Sequence, residues 1–178
     1  MIFGLSISLG ALIAWVALFA LLGLLALGLI RRQQGPVSEG QKAPVFTLTA
    51  FSGEQTNLAD LVGKVVVVNF WASWCKPCEQ EAADLEAAWQ FYKPRGDVVF
   101  LGVDYVDTEP EALAYLEKFE ITYPNGADLG TRISQAYRIR GVPETYIIAP
   151  DGKLAEVQIG PFTSLAQIKA MIDPLLSP

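Results

Sequence analysis

The hydrophobic and polar positions divide the chain into an apolar N-terminal segment, a short polar stretch and a long region of alternating apolar and polar runs. No charged residue occurs from Ile2 to Ile30. A helix rises about 1.5 Å per residue, so this segment is long enough to cross a bilayer core of about 30 Å. It has no clear basic start or small-residue cleavage site of the kind that signal peptides carry. The pattern therefore predicts an uncleaved, single-pass transmembrane anchor over residues 1–30.

The polar stretch after the anchor predicts a linker over residues 31–41, which contains the turn-forming pair Gly35-Pro36. Residues 42–178 are numerous enough for one domain with its own hydrophobic core. Arg31 and Arg32 follow the apolar segment directly, and the positive-inside rule favours a cytoplasmic location for that end of the helix.

Within the domain, runs of β-branched residues alternate with segments of helical periodicity. The run over 64–72 predicts a central strand buried on both faces, because apolar residues occupy nearly every position. Such alternation, followed by a hairpin and a last helix, predicts an α/β sandwich with a mixed sheet. The other predicted elements are an entry hairpin in 43–61, a helix in 77–92, a strand in 97–105, a helix in 109–120, a turn at Pro124-Asn125-Gly126, a helix near 129–137, a hairpin in 144–160 and a helix in 164–176.

Charge and composition narrow the chemistry of this domain. The chain carries 13 Lys+Arg against 19 Asp+Glu, a net charge of −6, which argues against a nucleic-acid surface. The sequence contains no histidine, so histidine acid/base catalysis, a Cys-His dyad and histidine metal ligands are all excluded.

The stretch "NFWASWCKPCEQE" contains the only two cysteines of the chain, Cys75 and Cys78, which are therefore the candidate reactive residues. As a structural staple the pair would close a very short loop and remove little entropy from the unfolded chain. As a zinc site it supplies two of the four ligands required, so only a dimer with a shared Cys₄ site satisfies the metal. The remaining interpretation is a redox couple that opens and closes during its reaction.

The predicted position of the pair, between a buried strand and a helix, favours redox chemistry. Unpaired backbone N–H groups and the helix dipole face the first sulfur and stabilise its thiolate, which makes Cys75 the expected nucleophile. Cys78, in the first helical turn, is the expected resolving thiol. Pro77 suits that turn because its missing N–H costs little there, and Lys76 adds a positive charge beside the site.

The segment "VVVVNFWASWCKPCEQE" resembles the active-site region of the thioredoxin superfamily. It is most similar to the membrane-anchored TlpA/ResA-like thiol-disulfide oxidoreductases, a branch that includes the CcmG (DsbE)-type reductants of cytochrome c maturation. "GQKAPVFTLTAFSGEQTNLADLVGK" resembles the entry hairpin of that group, and "GVPETYIIAPDGKL" resembles its cis-proline loop and hairpin. The resemblance extends from Gly40 to Leu176. It implies a thioredoxin-like three-layer sandwich with a mixed central sheet, preceded by one transmembrane helix.

The resemblance also implies roles for individual residues. Cys75 matches the attacking thiol and Cys78 the resolving thiol, while Pro143 matches a cis-proline that packs beside the disulfide. Val142 would then offer backbone hydrogen bonds to a substrate peptide, and Trp71 and Trp74 match an aromatic pair that flanks the site. The implied substrate-binding residues are Trp74, Lys76, Pro77, Val142, Pro143 and Glu144, the last within a P-E-T pattern of the cytochrome-maturation type.

One departure from classical thioredoxins bears on proton transfer. They carry a buried aspartate six residues before the first cysteine, where this chain has Asn69, which cannot take a proton from Cys78. Members of the TlpA/ResA-like branch often use a glutamate three residues after the second cysteine, which matches Glu81. If Glu81 is buried, its pKa rises and it becomes a catalytic proton acceptor. The alternative is a solvated acid that only complements the helix dipole.

These observations predict a membrane-tethered thiol-disulfide oxidoreductase that reduces disulfides in exported proteins such as apocytochrome c. The resemblance implies no cofactor beyond the Cys75-Cys78 disulfide. It also implies that a transmembrane thiol transporter is the electron donor. The resemblance places the domain on the extracytoplasmic side of the cytoplasmic membrane, whereas Arg31-Arg32 argue for the opposite side. A thiol oxidant of the same fold, a redox-switched binding module and a Cys₄ zinc dimer remain alternatives. A peroxiredoxin is disfavoured because Val68 and Ala72 occupy the Pro and Thr positions of its motif.

Overall fold

The computed structural model describes residues 9–32 and 37–176, which belong to two separate compact units. The described part of the first unit is helix α1 (Leu9–Arg32), whose stretch Gly10–Gly28 is long and apolar enough to cross a membrane. The predicted helix is therefore present. The predictions for residues 1–8, 33–36 and 177–178 lie outside the described residues.

The predicted linker boundaries differ from the structure at both ends. Helix α1 continues through Arg32, so the first two residues of the predicted linker are helical. At the other end Val37 is already buried, at 4% exposure, and belongs to the apolar core of the second unit. Polar composition alone did not show that the chain enters the domain before residue 42.

The second unit contains the strands and the remaining helices. Their bounds are β1 (Thr47–Thr49), β2 (Gln55–Asn57), β3 (Val65–Trp71), α2 (Lys76–Tyr92), β4 (Val98–Asp104), α3 (Glu109–Lys118), β5 (Asn125–Ala127), α4 (Arg132–Tyr137), β6 (Glu144–Ile148), β7 (Leu154–Ile159) and α5 (Leu165–Ile172). Short 3₁₀ turns follow several of them, among them Leu58–Leu61 after β2.

The strands form a five-stranded mixed sheet in the order β5-β4-β3-β6-β7 and a separate β1-β2 hairpin. Strands β3, β4 and β5 are parallel, whereas β6 runs antiparallel to both β3 and β7. One apolar cluster joins the sheet to α2 and α5, and another joins its opposite face to α4 and the hairpin. This is the mixed α/β, thioredoxin-like fold that the sequence predicts.

Strand β3 is the centre of the sheet, and every residue from Val65 to Trp71 is buried. Its side chains alternate between the two faces: Val66 and Val68 pack in one apolar cluster, Val65 and Val67 in the other. This two-sided burial explains the unbroken apolar run in the sequence. The chain passes from the carboxyl end of β3 to the start of α2 within a few residues. The cysteine segment therefore lies at the carboxyl end of the central strand.

The predicted turn at residues 124–126 is wrong, because Asn125–Ala127 forms strand β5 and pairs with β4. Asn and Gly favour turns locally. Here tertiary packing overrides that preference, since a Cβ on Gly126 would stand 2.1 Å from the carbonyl oxygen of Thr49. Glycine is needed at this position for the close approach of the entry hairpin to the edge of the sheet.

Candidate active site

Cys75 and Cys78 form a disulfide at the start of α2, with Cα atoms 5.3 Å apart. Cys75 is the N-cap residue, and its Sγ accepts a hydrogen bond of 3.2 Å from the backbone N–H of Cys78. Both side chains are buried, Cys75 at 3% exposure and Cys78 at 1%. The strand-to-helix placement predicted from the sequence is thus present. After reduction, the same N–H and the helix dipole favour the thiolate form of Cys75.

Three of the predicted substrate-binding residues surround the disulfide on the exposed surface. Trp74 is 57% exposed, and its indole N–H donates to the carbonyl of Val106 at 3.0 Å. Pro77 is exposed in the first turn of α2, as its missing N–H allows. Lys76 is exposed and its ammonium lies 3.0 Å from Oε1 of Glu79. Its charge is therefore directed to Glu79 rather than to the sulfurs.

Trp71, the other member of the predicted aromatic pair, is buried and performs a packing role. Its ring stacks on Tyr115 with centroids 4.5 Å apart, and its Nε1 donates to Oδ1 of Asn125 at 2.8 Å. Gly102 makes room for this contact, because a Cβ there would lie 1.6 Å from the same Asn125 oxygen. Trp71 packs in one cluster with both cysteines, so it supports the disulfide from inside the domain.

Glu81 is buried at 1% exposure, and the alternative of a solvated acid is wrong. Its Oε1 accepts a hydrogen bond of 2.8 Å from Nδ2 of Asn69, and its Oε2 accepts one of 2.9 Å from the backbone N–H of Phe162. Burial raises the pKa of Glu81 to about 7, against the opposing effect of these two hydrogen bonds. The carboxyl therefore changes protonation near neutral pH. It lies three residues after Cys78 on one helix, a spacing at which side chains are neighbours.

Two residues of this buried network, Thr145 and Phe162, were not identified from the sequence. Nδ2 of Asn69 also donates to Oγ1 of Thr145, 2.9 Å away on β6, and Phe162 lies in the segment between β7 and α5. Asn69 and Thr145 face each other in the register of β3 and β6. Thr145 is the last residue of the P-E-T pattern, which could have marked it as part of the site. Its contact with Asn69, however, follows only from the pairing of β3 with β6.

The loop before β6 carries the cis peptide bond between Val142 and Pro143, as the resemblance implies. Pro143 is buried, and Val142 packs against the cluster that contains Cys75 and Cys78. The backbone of Val142 makes no hydrogen bond to any residue in 9–32 or 37–176. It is therefore open to the strand-like substrate contact that was predicted for it.

Glu144 does not present its carboxylate to a substrate, which corrects the predicted contact. It is buried at 2% exposure. Its Oε1 accepts hydrogen bonds from the backbone N–H groups of Arg140 and Gly141, at 2.8 and 3.3 Å. Its Oε2 accepts one from the hydroxyl of Tyr146 at 2.8 Å. The carboxylate therefore binds the backbone of the loop that leads to Pro143.

Metal-ligating side chains do not gather elsewhere in the described part of the chain. Among residues 9–32 and 37–176, no group of three or more Cys, Asp or Glu side chains has the arrangement of a metal site. The two sulfurs, which a shared zinc site would need as thiolates, are bonded to each other. The arrangement as described is that of a dithiol-disulfide couple.

The fold and the disulfide place the protein in the class of thioredoxin-fold thiol-disulfide oxidoreductases. Comparison of the sequence with protein families identifies it more closely: residues 39–157 match the AhpC/TSA family, and the chain belongs to that family. The thiol-disulfide oxidoreductase ResA of Bacillus cereus is 36% identical over 121 residues, which cover 68% of this chain and 69% of that protein.

Solved structures agree with this assignment. A putative protein disulfide isomerase from Bacteroides thetaiotaomicron is 31% identical, with a TM-score of 0.73 over 80% of this chain and 94% of that one. A putative thiol:disulfide interchange protein DsbE from Chlorobium tepidum is 25% identical, with a TM-score of 0.72 over 79% of this chain and 99% of that one. The names of all three relatives refer to disulfide chemistry.

Proposed function

We propose that this protein is a membrane-tethered reductant of disulfides in exported proteins, with apocytochrome c among its substrates. The observation that carries the proposal is the disulfide at the N-terminus of α2, whose Cys75 sulfur accepts the N–H of Cys78. The similarity to a ResA thiol-disulfide oxidoreductase and to a DsbE thiol:disulfide interchange protein supports thiol-disulfide exchange. The reducing direction is proposed from the sequence resemblance described above. The proposed role in cytochrome c maturation is based on the same sequence resemblance.

In the reducing direction, the thiolate of Cys75 attacks one sulfur of the substrate disulfide. The substrate S–S bond breaks, its other sulfur leaves as a thiolate that takes a proton from water, and a mixed disulfide joins Cys75 to the substrate. Cys78 then loses its proton and attacks the sulfur of Cys75. The Cys75-Cys78 bond forms as the mixed disulfide breaks, so two electrons pass to the substrate and the enzyme is left oxidised.

Glu81 is the proposed acceptor for the proton of Cys78. A carboxyl with a pKa of about 7 is close to half-ionised at neutral pH and can both take and return a proton. Asn69 and the Phe162 N–H hold its two oxygens, so the group is fixed in orientation. Glu81 would thus perform from the helix what an aspartate on the strand performs in classical thioredoxins.

Regeneration of the dithiol needs a donor of two electrons, for which a transmembrane thiol transporter is the proposed source. Beyond the disulfide itself, the proposed reaction requires neither an organic cofactor nor a metal ion. The apolar helix α1 is the proposed anchor. We place the domain on the extracytoplasmic side of the cytoplasmic membrane, where exported substrates are, although Arg31 and Arg32 favour the reverse orientation.

The direction of electron flow is tested by the reduction potential of the Cys75-Cys78 couple. Full-length protein in detergent would be equilibrated with thiol buffers of known potential, and the reduced fraction measured by alkylation. A value near that of thioredoxin, about −270 mV, supports a reductant, whereas one near the DsbA value of about −120 mV makes the protein an oxidant. A reversible disulfide without turnover of any disulfide substrate would favour a redox-switched binding module.

Sidedness is tested separately with a membrane-impermeant thiol reagent on intact cells. A Cys78→Ser variant leaves Cys75 as the only cysteine and prevents the internal disulfide. Labelling of Cys75 in intact cells supports an extracytoplasmic domain. Labelling that appears only after the cells are lysed would reverse the proposed orientation and agree with Arg31-Arg32.

A further inference from the structure

The loop between β4 and α3, residues 105–108, contacts the segment immediately before the disulfide, residues 73–75. The backbone N–H of Ser73 donates to Oδ2 of Asp107 at 2.6 Å. The indole N–H of Trp74 donates to the carbonyl of Val106 at 3.0 Å. Two hydrogen bonds from one loop therefore hold the two residues that precede Cys75.

Val106 adopts a conformation that indicates a constrained loop. Its φ of 50° lies in the left-handed region, which is unfavourable for a β-branched residue. Such conformations persist only where the surrounding structure imposes them. The hydrogen bonds to Ser73 and Trp74 belong to that surrounding structure, so the geometry of the 105–108 loop and that of the 73–75 segment depend on each other.

A second carboxyl lies behind this loop. Asp104, the last residue of β4, is buried at 2% exposure, and neither of its carboxyl oxygens has a hydrogen-bond partner among the described residues. A buried polar group without a partner is costly, and an ionised one more so. An aspartate in this position therefore calls for an explanation that packing does not supply.

Strand pairing places Asp104 on the same side of the sheet as the active site. Asp104 is the register partner of Trp71, and paired residues of neighbouring strands direct their side chains to the same face. Trp71 packs on that face with Cys75, Cys78 and Tyr115. The orphaned carboxyl is therefore adjacent to the packing that supports the disulfide.

Asp107 is the group that interacts with Asp104. Burial raises the pKa of Asp104 to about 7, and repulsion and hydrogen bonding by the Asp107 carboxyl act in the same direction. The two carboxyls therefore interact, and because an ionised carboxylate only accepts hydrogen bonds, none joins them while both are ionised. The other titratable groups on the neighbouring elements are Lys76, Glu79, Glu81, Asp84, Glu86 and Tyr92 on α2, Glu109, Glu111, Tyr115, Glu117 and Lys118 on α3, and Asp128, whose backbone N–H donates to the Asp104 carbonyl.

We propose that Asp104 and Asp107 form a carboxyl pair that positions the 73–75 segment for disulfide exchange. Protonated Asp104 donates to Asp107, and Asp107 holds the Ser73 amide, which orients Trp74 and Cys75 toward a substrate. The relevance to catalysis rests on the proposed function, whereas the hydrogen bonds themselves do not. Both aspartates are positioning residues, since neither contacts the reacting sulfurs.

Loss of the Asp104 proton has a clear physical consequence. It removes the only donor within the pair and leaves two carboxylates in contact in a region of low dielectric. Asp107 is then repelled from Asp104, and its hydrogen bond with Ser73 changes. The pair consequently links the protonation of a buried group to the geometry of the 73–75 segment.

The amide proton of Ser73 reports this link directly. In ¹⁵N-labelled, oxidised full-length protein in detergent, we expect its NMR signal to shift with pH, with a midpoint near the Asp104 pKa of about 7. Asp104→Asn retains a donor of the same shape but does not titrate, so the shift should disappear. Because Glu81 also has a pKa of about 7, Glu81→Gln is the matched control and should retain the shift.

Turnover provides the second measurement. Loss of one hydrogen bond to a charged group predicts that Asp107→Ala raises KM for a disulfide-bonded peptide by about tenfold, with kcat little changed. Asp107→Asn keeps an oxygen that accepts from Ser73, so its KM should remain near that of the wild type.

The outcomes separate this proposal from the proposed function. If the wild type does not reduce the peptide, the proposed function fails, and the Ser73 titration still decides whether the pair exists. A Ser73 signal that does not titrate, or that titrates equally in Asp104→Asn, overturns the pair. A titrating signal combined with an unchanged KM in Asp107→Ala overturns its positioning role.

Discussion

Asn69 donates a hydrogen bond of 2.8 Å to Glu81, and this contact joins the central strand β3 to the helix that carries both cysteines. Asn69 occupies the position at which classical thioredoxins have a buried aspartate. In this protein the buried carboxyl of Glu81 lies on α2, and the strand residue donates a hydrogen bond to it. The other oxygen of Glu81 accepts a hydrogen bond from the backbone N–H of Phe162. Both oxygens of this buried carboxyl therefore have a hydrogen-bond partner.

Glu81→Gln should lower the rate of disulfide reduction by about a hundredfold, because the proposed proton acceptor for Cys78 is lost. The dependence of that rate on the ionisation near pH 7 should disappear as well. Steady-state assays across the pH range measure both effects. Asp84→Asn, which removes another carboxylate from α2, is the control and should retain the wild-type profile. An unaltered rate in Glu81→Gln would assign proton transfer to water.

Glu81 and Asp104 should make the oxidised protein less stable as the pH rises toward 7. Burial raises the pKa of each to about 7, so between the unfolded and folded pKa values the folded state binds more protons than the unfolded state. The free energy of unfolding then falls with rising pH through that window and levels off above it. Thermal unfolding at a series of pH values tests this. Asp104→Asn should raise Tm at pH 8 by several degrees and have little effect at pH 4. A Tm gain of equal size at both pH values would contradict the prediction.

Trp74 and Trp71 should respond in opposite ways to truncation. Trp74 is 57% exposed, so Trp74→Ala should change the free energy of unfolding by less than about 1 kcal/mol while it raises KM for a peptide substrate. Trp71 is buried, stacks on Tyr115 and binds Asn125, so Trp71→Ala should cost about 3–5 kcal/mol. Chemical denaturation and steady-state kinetics separate the two effects. Equal destabilisation by both substitutions would be inconsistent with the observed burial.

Glu144→Ala should destabilise the loop that carries Pro143. The substitution leaves the backbone N–H groups of Arg140 and Gly141 and the buried hydroxyl of Tyr146 without their acceptor, which predicts a loss of about 1–3 kcal/mol. Chemical denaturation measures the loss. Glu156→Ala removes a carboxylate from the exposed side of β7 and serves as the control. A large rise in KM at unchanged stability would instead restore the substrate contact that the sequence predicted.

Gly126→Ala should disrupt the edge of the sheet. The new Cβ would stand 2.1 Å from the backbone carbonyl oxygen of Thr49, and a backbone atom cannot move aside as a flexible side chain can. Overpacking of this kind costs about 1–3 kcal/mol, measured as the free energy of unfolding. Gly141→Ala is the matched control, because a Cβ there meets nothing within 4 Å. A neutral Gly126→Ala would show that the hairpin is free to move away from β5.

The main elements of the fold could be predicted from local patterns in the sequence. The unbroken apolar run identified β3, helical periodicity identified α2, and the position of Cys75 and Cys78 between them followed from these two boundaries alone. Hairpin β6-β7 was likewise marked by a short local pattern, whereas the cis bond before Pro143 was implied only by the family resemblance. Such features depend on residues close together in the chain, and for that reason spacing and side-chain type were sufficient.

The contacts that complete the site depend on residues far apart in the chain. Thr145 reaches Asn69 across 76 positions, and Phe162 reaches Glu81 across 81, because β6 and the segment after β7 return to the central strand. The same long-range packing converts Asn125 from a turn residue into part of a strand and encloses Glu144 and Asp104. Local sequence determined where the cysteines lie and which chemistry they favour. Tertiary packing decided which carboxyls are buried and which partners they have, since both arise only when distant segments pack together.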